Sequence, residues 1–127
     1  TQDRTLFPYT TLFRSRIKTF PLKISSDAAI CVVIAAGGYP GEYEKGIPVD
    51  YIPHFNEKYV VVYHAATKFD DQNRVITWGG RCFSVVGLGS DIITANKNAY
   101  VAADEIYFKN SFYRHDIGRK FFERGKS

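Results

Sequence analysis

The chain has 127 residues, 45% of them hydrophobic, and its 17 Lys and Arg against 13 Asp and Glu leave a formal net charge of +4. That is one small domain with enough apolar residues for a single core, and no apolar run approaches the ~20 residues that a membrane span needs. The mild positive balance suits small anionic ligands and is too weak to indicate nucleic acid. Cys31 and Cys82 lie in apolar stretches without ligand spacing, which predicts two reduced, buried thiols rather than a disulfide or a metal site.

The first residues stand apart. Thr5 to Ser15 reads TLFPYTTLFRS, residue for residue the translation of a common sequencing-library adapter. Residues 1–15 are therefore expected to be an artefactual leader, and residues 16–127 the native domain. On that expectation the natural protein continues upstream of Arg16, and the short charged stretch Arg119 to Ser127 is its true end. With the leader set aside no targeting segment remains; two reduced thiols fit the expected cytoplasmic location.

Phe20 to Ile24 reads as a short edge strand, limited to an edge by Pro21. After the turn Ser25-Ser26-Asp27, the continuous apolar run Ala28 to Ala36 predicts a central strand buried on both faces. Gly37-Gly38-Tyr39-Pro40-Gly41 ends it. Glu42 to Lys58, broken by Gly46, Pro48 and Pro53, reads as a long loop with one short strand near Val49 to Ile52. Tyr59 to Tyr63 is a second strand running into His64-Ala65-Ala66-Thr67-Lys68. A turn at Asp70 to Asn73 and a strand at Arg74 to Trp78 give this region the look of a hairpin. Gly79-Gly80-Arg81 leads into a further strand, Cys82 to Leu88, in which Gly87 signals a bulge or a close backbone approach.

Ser90 is the expected N-cap of a helix with Asp91 in its first turn. The stripe Ile92, Ala95, Ala99, Ala102 and Ile106 keeps a 3.6-residue period, and its small residues predict close packing on a sheet. Tyr107 and Phe108 open an extended segment with a turn at Lys109-Asn110-Ser111, and Phe112-Tyr113 lead into Arg114-His115-Asp116-Ile117-Gly118. The fold class is α+β: a small mixed domain of mostly antiparallel strands with one main helix.

Four motifs carry the candidate chemistry. Gly37–Gly41 can aim several N–H groups at an anion or can simply be a tight turn. Lys68 can neutralise a phosphate as a point charge, and His64 can either bond a ligand or anchor its loop. Arg81, flanked by Gly79 and Gly80 and a buried strand, needs an anionic partner, either a substrate phosphate or a protein carboxylate such as Asp116. Arg114 and Asp116 can form an ion pair of their own. His54, His64 and His115 share no ligand spacing, so no metal site is expected, and no catalytic residue is assigned to this piece.

Taken in order, strand-GGYPG-x-Y-x-x-G, strand-HAxTK, GGR-strand, helix-AY and R-x-DIG resemble the C-terminal domain of the phosphoribosylamine–glycine ligases, also known as glycinamide ribonucleotide synthetases, over Leu22 to the end. These are ATP-grasp ligases of purine synthesis. The resemblance implies a barrel-sandwich-like domain packed beside an ATP-grasp core that lies upstream. That upstream part would hold ATP and Mg²⁺ (or Mn²⁺). It implies small-molecule partners, namely 5-phosphoribosylamine, glycine and ATP, with no nucleic acid and no membrane. It also implies that Lys68 and Arg81 take the substrate phosphate, that Gly37–Gly41 shape the site, and that His64, Gly79 and Gly80 belong to the substrate-binding set with them. Alone, the piece is expected to be inactive. The competing expectations are a basic binding module and a purely structural domain. The chain departs from the family at Ala66, usually Gly, and at Cys82, usually aliphatic; Ala66 would be strained if that position needs positive φ.

Overall fold

The computed structural model describes residues 18–123, so the expected leader lies outside the described residues. Five strands and two helices follow in order: β1 (Ala28–Ala35), β2 (Val60–His64), β3 (Thr67–Phe69), β4 (Val75–Thr77), β5 (Arg81–Gly89), α1 (Ile92–Glu105) and α2 (Arg119–Glu123). The main sheet is antiparallel in the order β1-β5-β2, and β3 with β4 makes a separate hairpin. The architecture is therefore a small α+β domain of antiparallel strands with one main helix.

Burial explains the arrangement and corrects one expectation. β1 is an edge strand of the three, not a central strand covered on both faces. Ile30, Val32 and Ile34 point into the core, whereas Ala29, Cys31 and Val33 face outward. The run reads as doubly buried because its outward residues are apolar too, yet among the described residues only one face of the sheet carries a helix. Cys31 is consequently exposed, against the expectation of a buried thiol, and Cys82 alone is buried.

β5 supplies the centre of the core through Phe83 and Val85, both fully buried. The α1 stripe Ala95, Ala99 and Ala102, with Ala103, lies on this strand. Small side chains let the helix come close, and Gly87 is where it comes closest. A methyl group there would collide with the Ala95 carbonyl oxygen and the Ala99 nitrogen. Of the two readings of Gly87, close approach is the one that holds. The helix is capped one residue later than expected. Asp91, not Ser90, is the N-cap, its Oδ1 accepting from the Thr94 N–H at 2.7 Å.

After α1 the chain turns through buried Ile106 and Phe108, whose ring lies 6.4 Å from that of Phe83. Phe112 then pairs with Ala35 through two backbone hydrogen bonds of 2.9 and 3.0 Å. The tail forms the short helix α2, which its charged composition concealed. Residues 20–24 form no strand and are exposed; Ile24 is 84% accessible. The expected strand near Val49 to Ile52 reduces to isolated bridges from Pro48 to Ile76 and Tyr51 to Tyr107.

Candidate functional site

Three of the four motifs meet at the end of the main sheet where β1 stops and β5 starts. Antiparallel pairing of the two strands dictates this, since Ala35 is registered with Arg81. The Ala36 N–H donates to the Gly80 carbonyl at 2.7 Å, the Ala66 N–H to the Arg81 carbonyl at 2.9 Å, and the Trp78 N–H to the Ala66 carbonyl at 2.8 Å. The Gly79-Gly80-Arg81 backbone is thus held between the other two motifs. A side chain on Gly80 would run into the Tyr39 ring, and one on Gly79 would meet the Ala66 methyl at 2.5 Å. These glycines are required by close approach rather than by an unusual φ.

Gly37–Gly41 is a closed turn. Tyr39 N–H donates to Ala36 at 3.1 Å and Gly41 N–H to Gly38 at 2.7 Å, so two of its amides are already engaged. Gly38 has φ +98°, and the Tyr39–Pro40 peptide is cis. The loop sets the Tyr39 ring against Gly80.

An open hollow of about 400 Å³ lies on the face of the sheet opposite α1, walled by Val33, Ala65, Ala66, Arg81 and Ser84. Arg81 is exposed at its rim and has no carboxylate partner among the described residues. Lys68 is not part of that wall. It lies along the hairpin with its ammonium 3.3 Å from the centre of the Trp78 ring. His64 Nδ1 is 3.1 Å from Thr67 Oγ1 and its ring packs edge-on against Phe83 at 5.1 Å, which ties the end of β2 to the start of β3, the strand that carries Lys68.

Residues 29–120 match the family described as "Phosphoribosylglycinamide synthetase, C domain". The chain belongs to this family. It is 43% identical over 100 residues to a protein named phosphoribosylamine–glycine ligase from Synechocystis, covering 79% of this chain and 24% of that one. The ligase of that name from Salmonella typhimurium is 42% identical over 97 residues, covering 76% and 23%. A crystal structure of phosphoribosylamine–glycine ligase from Thermotoga maritima superposes with a TM-score of 0.66 at 29% identity, covering 90% of this chain and 28% of that one. The chain thus spans about a quarter of the length of the curated relatives it matches. The match at the C domain makes it a C-terminal domain of such a ligase.

Within this synthetase C domain the fourth motif stands apart from the other three. Gly118 packs against Ile30, toward the start of β1 and away from Gly37 and Arg81. Asp116 does not pair with Arg81. It is engaged by Arg114, with Nε–Oδ1 at 2.9 Å and Nη2–Oδ2 at 2.6 Å. The hydrogen bonds raise the guanidinium pKa of Arg114 and lower the carboxyl pKa of Asp116 from their ordinary values. Tyr100 ties the motif to α1: its hydroxyl donates to the Arg114 carbonyl at 2.7 Å and accepts from the Ile117 N–H at 3.1 Å.

Ala66 is not strained. Among the described residues only Asn73 and Asn110 are non-glycine with positive φ, and the Ala66 methyl fills space left free by Gly79. Cys82 is buried, its Sγ donates to the Gly79 carbonyl at 3.3 Å, and burial pushes its thiol pKa up. Sequence reasoning passed over Trp78 beside Lys68, Lys45 near the same ring, and Val33 and Ser84 in the wall of the hollow. The signal for Trp78 was present, since it is the single tryptophan of the chain and immediately precedes Gly79-Gly80-Arg81. The wall residues carry no sequence signal, because only strand register sets Ser84 opposite Val33.

Proposed function

We propose that this domain forms the phosphate-facing wall of a phosphoribosylamine–glycine ligase acting in purine synthesis. The observation that carries the reading is Arg81, an exposed guanidinium without a carboxylate partner among the described residues. Two family motifs hold its backbone at the rim of an open hollow. A bidentate cation with free donors suits a phosphate group. Lys68 adds a second charge on the adjoining hairpin, and Gly37–Gly41, Gly79, Gly80 and His64 support the backbone that presents the two.

In the parent enzyme ATP would transfer its terminal phosphoryl group to the glycine carboxylate, giving glycyl phosphate and ADP. The amine nitrogen of 5-phosphoribosylamine would then attack the acyl carbon and expel phosphate, losing a proton as the amide forms. Such a reaction depends on positioning and charge neutralisation. ATP and Mg²⁺ would be held by domains upstream of Arg16, and the enzyme would work in the cytoplasm. What this chain supplies is an anchor for the end of the substrate remote from the reacting nitrogen.

The test has two parts. Reading the source DNA across the Ser15–Arg16 junction should recover an ATP-grasp coding region, and an unrelated domain there would end the assignment of the parent activity. In the full-length enzyme so restored, Arg81→Ala should raise the KM for phosphoribosylamine at least tenfold, roughly the loss of one charge-assisted contact, while the KM for ATP stays unchanged. Equal loss for both substrates would show that Arg81 is structural.

A further inference from the structure

We propose that Trp78 is a positioning residue that holds the Lys68 ammonium, with Lys45 near the same ring, as a receptor for a phosphomonoester dianion. The inference rests on the reading that Lys68 binds substrate phosphate, and adds what fixes that lysine in place. Lysine is a poor anchor by itself, because a flexible four-carbon stem carries its charge. Here the Lys68 Nζ sits 3.3 Å from the centre of the Trp78 ring, and the Lys45 Nζ is 5.8 Å from the same ring. Neither lysine has a carboxylate partner among the described residues.

The arrangement is built by the backbone. Lys68 on β3 is registered with Ile76 on β4, and the bond from Trp78 to Ala66 brings the indole alongside the strand that bears Lys68. Lys45 is delivered by the loop that runs along the other edge of β4, where the Gly46 N–H donates to the Thr77 carbonyl at 2.7 Å. Trp78 is 48% exposed, so it fills no core and its free surface faces the solvent that a ligand would come from. An indole face attracts an ammonium ion and occupies only one side of it, leaving N–H donors for an anion. Both ammonium groups lie near the one ring, so an anion at its exposed edge feels two positive charges, and a dianion gains more from them than a monoanion does.

The single tryptophan makes the test direct, because indole fluorescence reports on this place alone. The 127-residue chain is titrated with ribose 5-phosphate at fixed ionic strength, following Trp78 emission where it remains and the ligand's ³¹P resonance in every variant. Trp78→Leu should weaken binding roughly three- to tenfold, Trp78→Phe should recover most of it, and Lys68→Met should abolish it. In the Lys68→Met background, Trp78→Leu should change nothing further. If Lys68→Met binds like the parent chain, or the parent chain does not bind at millimolar ligand, the underlying phosphate assignment fails. If Lys68→Met loses binding while Trp78→Leu keeps it, the phosphate assignment survives and the positioning role is overturned. Equal loss in the Leu and Phe variants also overturns it, since bulk rather than the aromatic face would then be what matters.

Discussion

Gly87→Ala adds one methyl group where α1 packs directly on β5. On β5 the new Cβ would point at α1, meeting the Ala95 carbonyl oxygen, the Ala99 nitrogen and, at 2.7 Å, the Ala99 Cβ. Two of these three obstacles are helix backbone, so no rotamer change relieves them, and α1 must withdraw by about an ångström along its Ala95–Ala99–Ala102 stripe. Overpacking of this kind costs about 2–3 kcal/mol, with the upper end expected where backbone must move. For a domain of this size that lowers Tm by roughly 10–20 °C, and it is a large share of a typical stability of about 5–15 kcal/mol. The assay is thermal unfolding followed by far-ultraviolet circular dichroism, with Val86→Ala as control on the half-buried opposite face of the same strand. A Tm for Gly87→Ala within a few degrees of the parent, or above it, would refute the account of a sheet–helix seam closed by small residues.

Phe108→Ala removes a fully buried ring packed on Phe83; chemical denaturation should show a loss of about 3–5 kcal/mol. The two thiols should differ sharply toward a thiol reagent such as Ellman's. Exposed Cys31 should react at once, and Cys82, buried with a raised pKa, only on unfolding; two equally fast thiols would contradict the packing of β5. Asp70 caps the β3–β4 turn by accepting from the Gln72 and Arg74 N–H groups at 2.9 and 2.8 Å, and it pairs with the Arg74 side chain. Asp70→Ala should therefore lower Tm and shift Trp78 emission as the hairpin loosens. Acid should destabilise the domain. Backbone hydrogen bonds from Arg74 and Thr94 lower the carboxyl pKa values of Asp70 and Asp91, and the Arg114 side chain lowers that of Asp116. A folded pKa below the unfolded one gives stability that is present above about pH 4 and lost as pH falls through the folded value, so Tm should drop between about pH 5 and pH 3.

Much of the architecture was legible in local sequence. The β-branched run of β1, the Val-rich β2, the strand after Arg81 and the alanine stripe of α1 all form where their composition places them, because strand and helix periodicities are local properties. The errors share a different cause. β1 looked doubly buried because alternation cannot be seen when both faces are apolar, and whether a helix covers the second face is a matter of topology. Cys31 was misplaced by the same step. Ser90 and Asp91 are both good caps, and the choice between them fell to the geometry at which β5 enters α1. The short β3 and α2 lack the length for a periodic signal.

The candidate site divides along the same line. The motifs themselves, with their glycines and their two basic residues, were visible in the chain, and so was the family they indicate. Their meeting point was not, since it follows from the antiparallel register that sets Ala35 beside Arg81 and from the bonds joining Ala66 to both Trp78 and Arg81. Nor could the chain alone decide the partner of Arg81. Asp116 was a reasonable candidate by charge, but it lies two residues from Arg114 and is engaged by it, leaving Arg81 without a carboxylate partner among the described residues. Composition and spacing determined which groups this domain possesses. Only the tertiary structure decided which of them stand together and which cations remain without a carboxylate, because charge pairing depends on distance through space and not on separation along the chain.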